Sequence, residues 1–176
     1  KGDWDRAETL LRAEIEKDPG YAAAYLELGR VYKVQRKVEA AETYLLKSIA
    51  LAPRVPDGYF ELAILYRNEP RPGSYQRSAA MFAQLIELVP DNPWYTMELA
   101  GLYRSGNELQ KAAAMFERTL ELDPTMKRAY VELGWIARLR KEYDKGIAII
   151  QRGISVLPNE SGLYGELALL YRESGR

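Results

Sequence analysis

Apolar and polar residues along this chain follow the three- and four-residue spacing of amphipathic helices, and one phrase carries that pattern again and again. "AYLELGRVYK" at positions 24–33 returns as "GYFELAILYR" at 58–67, "YTMELAGLYR" at 95–104, "AYVELGWIAR" at 129–138 and "LYGELALLYR" at 163–172. Prolines mark the period: Pro19, Pro53, Pro90, Pro124 and Pro158 stand 34, 37, 34 and 34 residues apart. Each closes an apolar segment such as "IELVP" or "LELDP", and a helix stops there because proline lacks an N–H and restricts the residue before it. Between stops lie two amphipathic patterns joined by short turns such as "RSGNE", so the reading is two helices per period.

The phrase also repeats column by column. Tyr25, Tyr59, Tyr130 and Tyr164 open the first helices, with Leu28, Leu62, Leu99, Leu133 and Leu167 further along. Small residues follow at Gly29, Ala63, Ala100, Gly134 and Ala168, then Tyr32, Tyr66, Tyr103 and Tyr171. In the second helices Ala7, Ala41, Ser78, Ala112 and Gly146 precede Leu11, Leu45, Phe82, Phe116 and Ile150 by four. Paired helices cross closely only where both backbones lack bulk, and large side chains fill the space around that contact. Most tyrosines therefore read as packing residues, and Trp4, in the turn before a second helix, reads the same way.

These columns on a 34-residue helical hairpin resemble the tetratricopeptide repeat over essentially the whole chain. The departures are Thr96 for the opening aromatic, Ala137 for the later tyrosine and three extra residues in one repeat. The resemblance implies an all-α, right-handed superhelical solenoid of antiparallel helix pairs. Its expected divisions are a second helix at 1–19, repeats at 22–55, 56–92, 93–126 and 127–160, and a first helix at 161–176. Beginning and ending inside a repeat, the chain reads as a piece of a longer array. Leu163, Leu167 and Leu170 are then expected to lie open for a further helix and to promote end-to-end self-association.

Composition narrows the chemistry. There are no Cys and no His among the 176 residues, which excludes disulfides, Cys/His metal sites and any imidazole base. There is no Gly-rich phosphate loop, and carboxylates are spread through helical segments, so a catalyst is not expected and no cofactor is assigned. Lys plus Arg and Asp plus Glu balance at 25 each, removing the bulk attraction to nucleic acid or an anionic membrane. No apolar run reaches the roughly 18 residues of a membrane helix, and no targeting signal chooses between cytoplasm and periplasm.

In this family the first helix of each pair lines a concave side where partners bind. At about 100° per residue the structural columns take one side of that helix and leave others facing the groove. The groove-facing candidates are Phe60, Ile64, Trp94, Met97, Val131 and Trp135, with Gly101 leaving space between Ile64 and Trp135, bordered by Arg30, Lys33, Arg67, Arg104, Arg128 and Arg138. The two tryptophans are either groove anchors or filling of the seam between repeats. Glu27, Glu61, Glu98, Glu132 and Glu166 form one column, and Lys33, Arg67, Arg104, Arg138 and Arg172 another. Six residues of helix separate a Glu from its own helix's basic residue by about 120°, so pairing would run between neighbouring repeats. Such a ladder, or contact with a ligand, accounts equally for both columns.

The family's clamp for the acidic C-terminus of heat-shock chaperones is not expected. Its Lys position carries Leu26, Phe60 and Met97, the Glu column stands where it needs Asn and a cation, and Arg30 and Arg128 lack their partners. The insertion "NEPRPGS" is either a neutral extension or an edge contact. The function expected is a non-catalytic protein-protein interaction scaffold gripping a peptide or helix of a partner protein. The alternative is the recruiting array of a larger enzyme, such as a glycosyltransferase or sulfotransferase. RNA binding is disfavoured by the Glu column.

Overall fold

The computed structural model describes residues 2–69 and 71–176, and every regular element among them is an α-helix. They are α1 (Gly2–Lys17), α2 (Ala22–Val34), α3 (Val38–Leu51), α4 (Pro56–Asn68), α5 (Ser74–Leu88), α6 (Pro93–Ser105), α7 (Leu109–Leu122), α8 (Lys127–Leu139), α9 (Tyr143–Val156) and α10 (Ser161–Glu173). They form two compact units, Lys1–Pro90 and Asp91–Arg176. In the first, α2 pairs with α3 and α4 with α5, while α1 packs on α2. In the second, α6 pairs with α7 and α8 with α9, while α10 packs on both α8 and α9.

Each unit is held by the columns read from the sequence. Leu28, Ala41, Leu45 and Leu62 are fully buried in the first, and Phe116, Tyr130, Ile150 and Leu170 are fully or almost fully buried in the second. The small column is enforced by contact. A methyl group at Gly29 would sit 2.6 Å from Leu45 Cγ, and one at Gly134 would sit 2.8 Å from Ile150 Cδ1. Opening tyrosines tie the helix to the preceding turn, Tyr59 and Tyr164 donating their hydroxyls to the Pro53 and Pro158 carbonyls at 3.2 and 2.9 Å. Where Thr96 replaces that aromatic, its hydroxyl meets Thr119 Oγ1 at 2.8 Å, and both threonines are fully buried. Where Ala137 replaces the later tyrosine, a narrow cavity opens among Ala113, Ile136, Ala137 and Ile149.

Two packing expectations are corrected. Leu163 and Leu170 do not lie open: both are fully buried, and Leu167 is half-buried, because their stripe on α10 faces α8 and α9. That removes the apolar end on which self-association was argued. Trp4 lies within α1 rather than in a turn and is 45% exposed, so it is no core residue. Within the insertion, Pro70 lies outside the described residues, as does Lys1 at the start of the chain. Arg71 ties the insertion to its own unit through a 2.8 Å ion pair with Glu39 of α3.

Candidate functional site

In the first unit the charged columns converge on Glu61 of α4. Arg30 Nε donates to Glu61 Oε1 at 2.7 Å and Lys33 Nζ donates to Oε2, both reaching across from α2. Arg30 also binds Glu27 through Nη1 and Asp57 through Nη2, the latter at 3.2 Å, so one guanidinium serves three carboxylates. Burial pulls the Glu61 carboxyl upward, but the hydrogen bonds and charges of Lys33 and Arg30 outweigh it and hold Glu61 below the ordinary carboxylate range. Phe60 and Ile64 of α4 are half-buried, and Arg67 is exposed.

The second unit repeats the ladder with looser geometry. Arg104 Nε of α6 stands 3.1 Å from Glu132 Oε2 of α8, and Arg138 Nε of α8 stands 3.1 Å from Glu166 Oε1 of α10. These are close enough for charge pairing but off the line of a hydrogen bond. Arg138 instead donates to Glu173 Oε1 at 3.0 Å. Burial therefore dominates at Glu166, and with Glu173 nearby its carboxyl is pushed above its ordinary range despite Arg138. Of the two readings left open for these columns, the pairs between successive first helices favour the ladder. Lys33, Arg104 and Arg138, proposed as ligand contacts, have carboxylates of the chain itself as neighbours.

The apolar candidates separate by exposure. Trp94 opens α6, where Pro93 presets the helix and the Asn92 side chain accepts from Trp94 N at 3.0 Å. Its indole stays 40% exposed. Trp135 and Val131 of α8 are half-buried against the core, and Arg104 lies over the Trp135 ring at 5.6 Å from its centroid. Met97 is corrected: only 5% exposed, it is part of the core of this unit. Arg128 is largely exposed, and its Nη2 would lie 3.6 Å from a methyl group at Gly101, so an arginine borders the space that glycine leaves.

Sequence reasoning missed Asp57 and Glu173. Asp57 shares a column with Trp94 and Arg128, and nothing in the spacing of that column marks one member as a partner of Arg30. Among the described residues no cluster of carboxylates could hold a metal ion, and no helix is long and apolar enough to cross a membrane.

The chain belongs to the tetratricopeptide repeat family, whose model matches residues 1–56, 71–126 and 102–155. Solved structures share the fold. MamA is 22% identical, with 88% of this chain and 89% of MamA covered at a TM-score of 0.73. A tetratricopeptide repeat protein from Parabacteroides merdae is 24% identical, with 99% of this chain and 68% of that one covered, also at 0.73. YrrB, a repeat protein with an unusual peptide-binding site, is 17% identical, with 93% and 83% covered, at 0.71. No curated protein matches the chain.

Proposed function

We propose that this chain is a non-catalytic scaffold that holds a peptide or helix of a partner protein on the face lined by its first helices. Trp94 of α6 and Val131 and Trp135 of α8 supply apolar contacts in the second unit, with Arg128 on the same helix as the last two, and Phe60, Ile64 and Arg67 of α4 are the candidates of the first unit. The observation that carries this reading is Trp94: a large ring left 40% exposed on a helix whose leucines are buried. Indoles in such places dominate polypeptide interfaces because they exclude water over a large area at little cost in side-chain entropy. A peptide-binding site on the same fold in YrrB supports it.

Trp94 is the cleaner probe, since Trp135 also packs on the core. Trp94→Ala is expected to shift the melting temperature by no more than about 2 °C while removing from a pull-down the partner that the unaltered chain captures. Trp135→Ala should lower both stability and capture. Capture that survives both substitutions overturns the reading.

A further inference from the structure

Cations and carboxylates are unevenly matched at one place on this face. Glu132 is flanked by two guanidiniums, Arg104 Nε at 3.1 Å from one oxygen and Arg128 Nε at 3.6 Å from the other. Arg104 Nε is buried without a hydrogen-bond acceptor, and 3.6 Å is too long for a hydrogen bond from Arg128. Elsewhere the balance is reversed: Arg30 serves three carboxylates and Arg138 two. Glu98, also on α6, is already partnered. Arg104 and Arg128 thus share one carboxylate while their side chains stay 36% and 56% exposed, a setting where arginine's forked donors match a second carboxylate.

The surroundings add a second requirement. The Trp135 ring lies under Arg104, Val131 is half-buried on the same helix, and Gly101 bares the α6 backbone beside Arg128. We propose that this cluster receives an acidic segment of a partner protein, with an Asp or Glu carboxylate bridging Arg104 and Arg128 and a neighbouring aliphatic or aromatic side chain resting on Trp135 and Val131. This deepens the reading of the first-helix face as a peptide-binding surface and rests on it. The ligand carboxylate completes the charge balance that Glu132 leaves half made, and a basic or purely apolar segment would leave the two guanidiniums with Glu132 as their one shared carboxylate.

The test is selection of a random peptide display library on the intact chain, followed by fluorescence anisotropy with the enriched peptides. Enriched peptides are expected to carry Asp or Glu beside an aliphatic or aromatic residue. They should lose at least about tenfold in affinity on Arg104→Gln with Arg128→Gln, and weaken steeply as salt rises from about 0.05 to about 0.5 M. Arg104→Lys with Arg128→Lys should recover part of the loss, and the salt series on the unaltered chain decides the matter if the glutamine variant does not fold. Peptides that depend on Trp94 and Trp135 but lack acidic residues, or that ignore both arginine substitutions, overturn the acidic-segment inference and leave the binding face standing. Enrichment that maps nowhere on this face overturns both.

Discussion

Glu61 and Glu166 hold the same column in α4 and α10, yet their surroundings drive them in opposite directions. Glu61 receives hydrogen bonds from Arg30 and Lys33 and sits below its ordinary range, whereas Glu166 has a misaligned arginine and sits above it. A carboxyl with a depressed folded-state value stabilises the fold above its unfolded value, about 4.3, and that contribution is lost as pH falls through the folded value. Glu166 has the opposite sign: its contribution is complete below the unfolded value and disappears as pH rises through the folded one. Glu61→Gln is therefore expected to cost about 2 kcal/mol near neutrality, with the gap from the unaltered chain closing in acid. Glu166→Gln should leave stability unchanged or slightly higher, Arg138 keeping Glu173. Melting curves at neutral and acidic pH check both, and equal losses at neutral pH would refute the contrast. The columns are legible from spacing alone, which leaves pairing between successive helices and contact with a ligand equally open. Bond alignment at each rung is not legible there, because it depends on sub-ångström helix placement that no periodicity encodes.

Among the first helices, glycine has two distinct uses. Gly29 in α2 meets Leu45 of α3 so closely that a methyl group would fall 2.6 Å from Cγ and 3.3 Å from the Leu45 backbone nitrogen. Gly165 in α10 has nothing within 4 Å of that position. Alanine favours a helix interior over glycine by about 1 kcal/mol, so Gly165→Ala should raise stability by up to that amount. Gly29→Ala should lower it by about 1 to 2 kcal/mol, overpacking outweighing propensity. Urea unfolding of the two variants separates the cases, and stabilisation at both sites would show that the hairpin crossing tolerates bulk. Helix existence, pairing and the small column followed from the pattern. Met97 did not, because a position placed on the groove side by helical rotation alone can still turn into the core when its neighbours leave room. Leu163 and Leu170 were misjudged for a related reason: the stripe seen as waiting for a later helix is the one that packs on earlier helices.

At the scale of the whole chain, each of the two compact units has a packing centre of its own. One cluster draws on α1 to α5, from Leu11 to Met81, and the other on α6 to α10, from Met97 to Tyr171. The division falls after Pro90, whose "IELVP" matches the other helix-ending segments, so nothing in the sequence distinguished this proline from its four counterparts. In a repeat array, stability is the sum of local units and their neighbour contacts, and a segment that closes its own core can fold without the rest. Residues 91–176 expressed alone should therefore be helical by circular dichroism and melt cooperatively. They should also retain most of the affinity for the acidic peptides, since Arg104, Arg128, Val131 and Trp135 all lie within them. A segment 91–176 that is unfolded at room temperature would show that its core is too small to stand by itself. A folded segment that no longer binds would overturn the assignment of the acidic-peptide site to Arg104, Arg128, Val131 and Trp135.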